Sequence, residues 1–64
     1  MQQVELEPLW VTYDEARRLF GLSRTTLWRL LRQDRIRGAR VGRSVRLEAQ
    51  SIQDYLQKQA EAFD

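Results

Sequence analysis

Between Ser23 and Arg32 the chain reads Ser-Arg-Thr-Thr-Leu-Trp-Arg-Leu-Leu-Arg, and the groups here able to do chemistry are guanidiniums and hydroxyls. Arginine offers a planar fork of donors that fits a phosphate or the edge of guanine, which the point charge of lysine does not. At about 100° per residue, a helix places Leu27, Leu30 and Leu31 on one face and Thr25, Arg29 and Arg32 opposite. Arg24 and Trp28 fall on the flanks. Ser23 stands where its hydroxyl would accept a first-turn N–H. The spacing predicts a short amphipathic helix with an apolar seam and a cationic, hydrogen-bonding outer face. Such a face suits a polyanion.

The charge distribution points the same way. The 64 residues carry a net charge of only +2. Yet Arg17 to Arg46 contains ten arginines and one acid, Asp34, while the remainder holds one lysine and eight acids. A positive centre between acidic ends implies a local polyanion site rather than a general solubility charge. A GC-rich genome is an alternative source of the arginine preference, and it accounts less well for the asymmetry. Other chemistry is poorly supplied. Cysteine and histidine are absent, which removes thiolate chemistry, the usual general base and the commonest metal ligand. No catalytic residue, metal or cofactor is therefore assigned. The pair Asp14-Glu15 is better explained as acids in the first turn of a helix. No apolar run approaches the roughly 20 residues of a membrane span, and the first residues lack the pattern of a signal peptide. The expectation is a soluble cytoplasmic protein with no membrane partner and no small-molecule substrate. A domain this small buries only about 60% of its unfolded surface, enough for a modest core and no deep cleft.

The elements that must position the arginines can be read in order. Residues 1–8 read as a flexible N-terminal arm, and residues 9–62 as one domain. Leu9-Trp10-Val11 is a short apolar run expected to be extended and packed on the core. Thr12 followed by Glu15 is a capping box that opens a helix with Ala16, Leu19 and Phe20 as its inward stripe. Gly21 stops it, and Leu22 leads straight into the cap at Ser23. Two capped helices joined this closely form a helix-turn-helix; a generic helical hairpin is the plainer reading, and the charge on the second helix decides against it. After Gln33-Asp34-Arg35 the period becomes two. Ala39 and Val41 flank Arg40, and Val45 and Leu47 flank Arg46, with Gly42-Arg43-Ser44 as the turn. This predicts a two-stranded hairpin with an apolar underside and Arg40, Arg43 and Arg46 at its tip or outer face. Gly38 reads as a bend or bulge. From 49 to about 61 the period is helical again, with Ile52, Tyr55 and Leu56 closing the core.

Thr12-Tyr13-Asp14-Glu15-Ala16, Leu19 through Leu31, Ile36, Arg40 through Leu47 and Ile52 through Leu56, in this order and spacing, resemble the excisionase-type winged-helix family, which is related to MerR-type DNA-binding domains. The resemblance covers roughly residues 9 to 58. It implies an α+β fold, a small winged helix-turn-helix of three helices and a two-stranded wing. The second helix would enter the major groove, and the wing would lie on the backbone or in the minor groove. One departure is visible: the turn after the second helix usually carries a glycine where this chain has Arg35, which implies a wider turn there or an added phosphate contact. Members of the family include recombination directionality factors, which bind DNA near attachment sites, often cooperatively, bend it, and assist a tyrosine or serine integrase in excision. A chain with almost nothing outside the motif is similar to these. A stand-alone transcriptional regulator is the alternative within the class, and a protein-binding adaptor the alternative outside it.

For double-stranded DNA, the candidate recognition-helix residues are Ser23, Arg24, Thr25, Trp28, Arg29 and Arg32. Trp28 is balanced between DNA contact and packing beside the wing. Wing candidates are Arg40, Arg43, Ser44 and Arg46, on phosphate or in a narrow minor groove. Thr12, Tyr13, Arg18 and Arg35 are weaker backbone candidates. One such module covers roughly 600–1,000 Å² of protein surface, so cooperative self-association on DNA is expected.

Overall fold

Thr12 and Ser23 open the first two helices as their hydroxyls require. In the computed structural model, which describes residues 9–63, the chain runs β1 (Trp10–Val11), α1 (Tyr13–Phe20), α2 (Arg24–Arg32), β2 (Gly38–Val41), β3 (Ser44–Glu48) and α3 (Ala49–Phe63). The arm expected over residues 1–8 lies outside the described residues. At α1, Thr12 Oγ1 accepts the Glu15 N–H at 3.0 Å and Glu15 Oε1 accepts the Thr12 N–H at 2.9 Å. Both halves of the capping box are thus made, and two otherwise unpaired donors are satisfied. Gly21, at φ 71°, ends α1 in the left-handed region. Ser23 Oγ then accepts the Thr26 N–H at 3.1 Å and starts α2.

The end of α2 resolves the missing glycine. Asp34, at φ 60°, takes the left-handed position itself. The Asp34 N–H donates to the Leu31 carbonyl at 3.1 Å and the Arg35 N–H to the Leu30 carbonyl at 2.9 Å. These are the two bonds of a Schellman motif, so the turn is tight rather than wide, and aspartate is among the few residues that tolerate its conformation.

Packing corrects the stripe expected for α1. Ala16 is buried and Phe20 packs partly against the core, but Leu19 is 63% exposed and Tyr13 is buried in its place. The covered arc is centred on Ala16 and leans toward Tyr13 and Phe20, leaving Leu19 on the open shoulder. Val11, Leu27, Leu30, Ile36, Leu47, Ala49 and Ile52 complete the core. Of the apolar run at the start, only Val11 is buried; Leu9 and Trp10 are exposed.

The sheet has three strands, not two, in the order β1-β3-β2, all antiparallel. β1 pairs Val11 with Leu47, giving the hairpin a third strand and tying it to α1. The hairpin turn is two residues, Gly42-Arg43, with Gly42 at φ 62°, as a two-residue loop with glycine first favours. Val41 therefore lies opposite Ser44, Arg40 opposite Val45, and Ala39 opposite Arg46. Directly opposed residues share a face. Val45 and Leu47 point inward with Arg40 on their side; Ala39 and Val41 are exposed on the other side with Arg46. The expected underside of four apolar residues, with Arg40 and Arg46 together beyond it, is not formed. Gly38 is no bulge: it is the first residue of β2, paired with Leu47. A Cβ there would come within 2.6 Å of Leu31 Cδ1, so the strand packs closely on α2 at this point and any side chain would make Leu31 shift.

α3 extends to Phe63, two residues past the expected end, and Phe63 is 87% exposed on it. Ser51 on α3 anchors the loop after α2: its hydroxyl accepts the Arg37 N–H at 2.9 Å and donates to the Glu48 carbonyl at 2.8 Å. Three helices around a three-stranded antiparallel sheet make a small α+β winged helix-turn-helix.

Candidate nucleic-acid interface

The outer face of α2 follows from its inner one. Leu27 and Leu30 are buried and Leu31 packs partly on the core, which turns Thr25, Trp28, Arg29 and Arg32 to solvent. Arg24, Trp28 and Leu31 form the row nearest the wing, since Leu31 is the residue that meets Gly38. Trp28 is 49% exposed, and the Arg32 guanidinium lies 4.9 Å from its ring centre. Ser23 is exposed but its hydroxyl is committed, accepting the Thr26 N–H and donating to Thr26 Oγ1 at 2.9 Å. No acid stands in the first turn of α2, so the positive end of its dipole faces solvent unopposed.

Between this helix start and the wing lies a shallow concavity lined by Thr12, Tyr13, Asp14, Arg24, Arg43, Ser44, Val45 and Arg46. It gathers residues distant in sequence: the N-cap and first residues of α1, the first residue of α2 and the hairpin turn with the start of β3. Arg24 stacks on Tyr13, with its guanidinium carbon 4.4 Å from the ring centre. Asp14, the acid in this wall, is occupied: Arg17 and Arg18 each donate to it at 2.8 Å. The hydrogen bond from Arg17, and then the charge of Arg18, hold its carboxyl below the usual carboxylate range. Among the described residues, Arg24, Arg29, Arg32, Arg40, Arg43 and Arg46 have no carboxylate partner.

The other candidates are dispersed. Arg40 lines a separate recess with Leu31, Gly38, Ala39 and Val45, on the wing face opposite Arg46. Arg18 is taken up by Asp14 and borders an apolar groove with Leu9, Trp10 and Leu19. Arg35 lines a cleft against α3 with Ser51, Asp54, Tyr55 and Lys58. Tyr13 is a core residue that also serves as the platform under Arg24; spacing could not reveal this, because the two residues sit on different helices. Arg37, absent from the candidates, is bound to the sheet by Glu48 at 3.5 Å and lies 5.9 Å from the Trp10 ring centre. Among the described residues no group of three or more acidic, histidine or cysteine side chains could hold a metal ion, and no helix is long and apolar enough to cross a membrane.

The arrangement is a cationic helix start and a cationic wing turn set side by side, spaced by a buried aromatic. The wing turn can take phosphates along one side of a duplex while the start and outer face of α2 meet base edges. A family model for the helix-turn-helix domain matches residues 10–60. Comparisons with curated proteins and with solved structures gave no match. The matched stretch runs from β1 through most of α3 and contains both capped helices and the wing, so the chain belongs to the helix-turn-helix domain family and is a DNA-binding protein.

Proposed function

We propose that this protein binds double-stranded DNA sequence-specifically as a recombination directionality factor, occupying repeated sites near attachment DNA, bending it, and promoting excision by a tyrosine or serine integrase. The observation that carries the reading is the concavity in which Arg24 of α2 meets Arg43 and Arg46 of the wing, beside Arg29 and Arg32, which have no carboxylate partner among the described residues. Helix and wing together would grip two adjacent stretches of one duplex, Arg24, Thr25, Trp28 and Arg29 in the major groove and Arg43, Ser44 and Arg46 on the backbone or minor groove. Arg40 would reach the duplex only from the opposite side of the wing. The resemblance to excisionase-type proteins supports the recombination role.

Bending a 20–30 base-pair site by 40–90° costs of order 1–6 kcal/mol, a large demand on one small module. Several copies sharing the bend meet it more readily. The glutamine-rich outer side of α3, weakly acidic with Asp54 and Glu61 against Lys58, gives one copy a surface to set against the basic surface of the next. DNase I footprinting over the ends of the element, coupled to excision reconstituted with the element's integrase, tests this. Phased protection of repeated sites and integrase-dependent excision support it. Binding confined to a promoter, with no effect on excision, favours the transcriptional regulator. A titration against salt separates either from a protein-binding adaptor: neutralising six phosphates gives a log–log slope of about −5, and an adaptor gives none.

A further inference from the structure

We propose that Tyr13 is a positioning residue for sequence recognition: its ring holds the Arg24 guanidinium so that its donor edge reads one base pair. The inference rests on the DNA-binding reading. Arg24 is the first residue of α2, the end of a recognition helix from which base contacts are made. Its guanidinium carbon lies 4.4 Å from the Tyr13 ring centre, within the range of a cation–π contact. Stacking uses the face of the guanidinium and leaves its in-plane N–H donors free, and those donors are what a guanine edge accepts.

The platform is itself fixed. Tyr13 is 8% exposed, begins α1 directly after the capping box and belongs to the core. A long side chain loses rotamer freedom when it settles on a base, and one already held loses less. Arg32 is the contrast. Its aromatic partner, Trp28, is half exposed, so that pair rests on a surface side chain rather than on the core. Arg29 has neither an aromatic nor a carboxylate partner among the described residues.

The test uses the duplex that the wild-type chain selects from a randomised pool, together with its complete set of single-base-pair variants. In Tyr13→Leu, discrimination should fall roughly tenfold at one base pair, the same one that Arg24→Ala affects. The other positions and the salt slope should hold. Tyr13→Phe, which keeps the ring, should restore the wild-type preference, and Tyr13→Leu should add nothing in an Arg24→Ala background. Uniform weakening at every position, or no change in preference, overturns the inference and leaves DNA binding standing. A wild-type chain that enriches no sequence overturns both. Should Tyr13→Leu fail to fold, side-chain ¹⁵Nε relaxation on the free wild-type protein decides: Arg24 should be markedly more ordered than Arg29, and equal mobility overturns the inference.

Discussion

α1 and α2 are 8 and 9 residues long, each begins on a hydroxyl cap, and each carries arginines in its last turn. They differ in what those arginines meet. In α1, Asp14 in the first turn takes both Arg17 and Arg18 at 2.8 Å. In α2 the first turn holds no acid, and Arg24, Arg29 and Arg32 have no carboxylate partner among the described residues. With two acids against two arginines α1 carries no net charge, whereas α2 carries three arginines and no acid, so the two helices present different surfaces to a polyanion. Pairing adds to the contrast in charge: one aspartate occupies both arginines of α1, and no carboxylate occupies those of α2 among the described residues.

The largest effect should come from the seam that holds α2 in place. Leu27 is fully buried, whereas Leu19 on α1 is 63% exposed. Leu27→Ala should cost about 2–5 kcal/mol, much of the stability of a typical small domain, while Leu19→Ala should stay within about 0.5 kcal/mol. Urea denaturation followed by circular dichroism checks both. A comparable loss at the two sites would mean that α1 is held by contacts on its outer shoulder. On DNA the contrast should run through the arginines. Arg29→Ala should weaken binding to a selected duplex by about 1–3 kcal/mol, and Arg17→Ala by well under 1 kcal/mol. Gel-shift titrations at fixed salt measure the pair, and equal losses would break the distinction between the helices.

What could be read from the sequence divides along physical lines. Caps and helix periods are local, so Thr12, Gly21, Ser23 and the seam of α2 stood out from the residues alone. Strand faces are not local. Reading Gly42-Arg43-Ser44 as a three-residue turn places Arg40 opposite Arg46, and the two-residue turn Gly42-Arg43 shifts the pairing by one. In a strand such a shift exchanges the faces, which is why Arg40 and Arg46 part company although the alternation was plain. The pairing of β1 with β3 and the stacking of Arg24 on Tyr13 depend on approach between distant segments, and periodicity carries no record of that.

The helix ends offer a smaller contrast. Both use a left-handed residue, Gly21 after α1 and Asp34 after α2. A side chain at such a position is strained, and glycine recovers part of that strain at an entropic cost. Aspartate at a helix C-terminus also opposes the dipole. Asp34→Gly should therefore raise Tm, the relieved strain of about 1–3 kcal/mol outweighing a glycine cost of about 0.5–1 kcal/mol, whereas Gly21→Ala should lower it. If both substitutions destabilise, the Asp34 side chain contributes to its turn in a way that its backbone bonds do not convey.

The smallest effect on stability bears most directly on the pairing argument. The carboxyl of Asp14 is held below its ordinary value of 3.8, first by the Arg17 hydrogen bond and then by the charge of Arg18. A depressed folded value means that its contribution is complete above the unfolded value and is lost as pH falls through the folded one. All three side chains are exposed, so salt screens the contribution. Asp14→Asn should remove this acid-range dependence, and at neutral pH it should lower Tm slightly, less so at high salt. Its effect on DNA should be easier to see. With Arg17 and Arg18 released, the log–log salt slope for a non-specific duplex should steepen by about 0.9 for each phosphate gained. Arg17→Ala, nearly silent in the wild type, should then weaken binding in the Asp14→Asn background. If the slope does not move, the position of α1 on the duplex, and not its aspartate, is what keeps those arginines out of the contact.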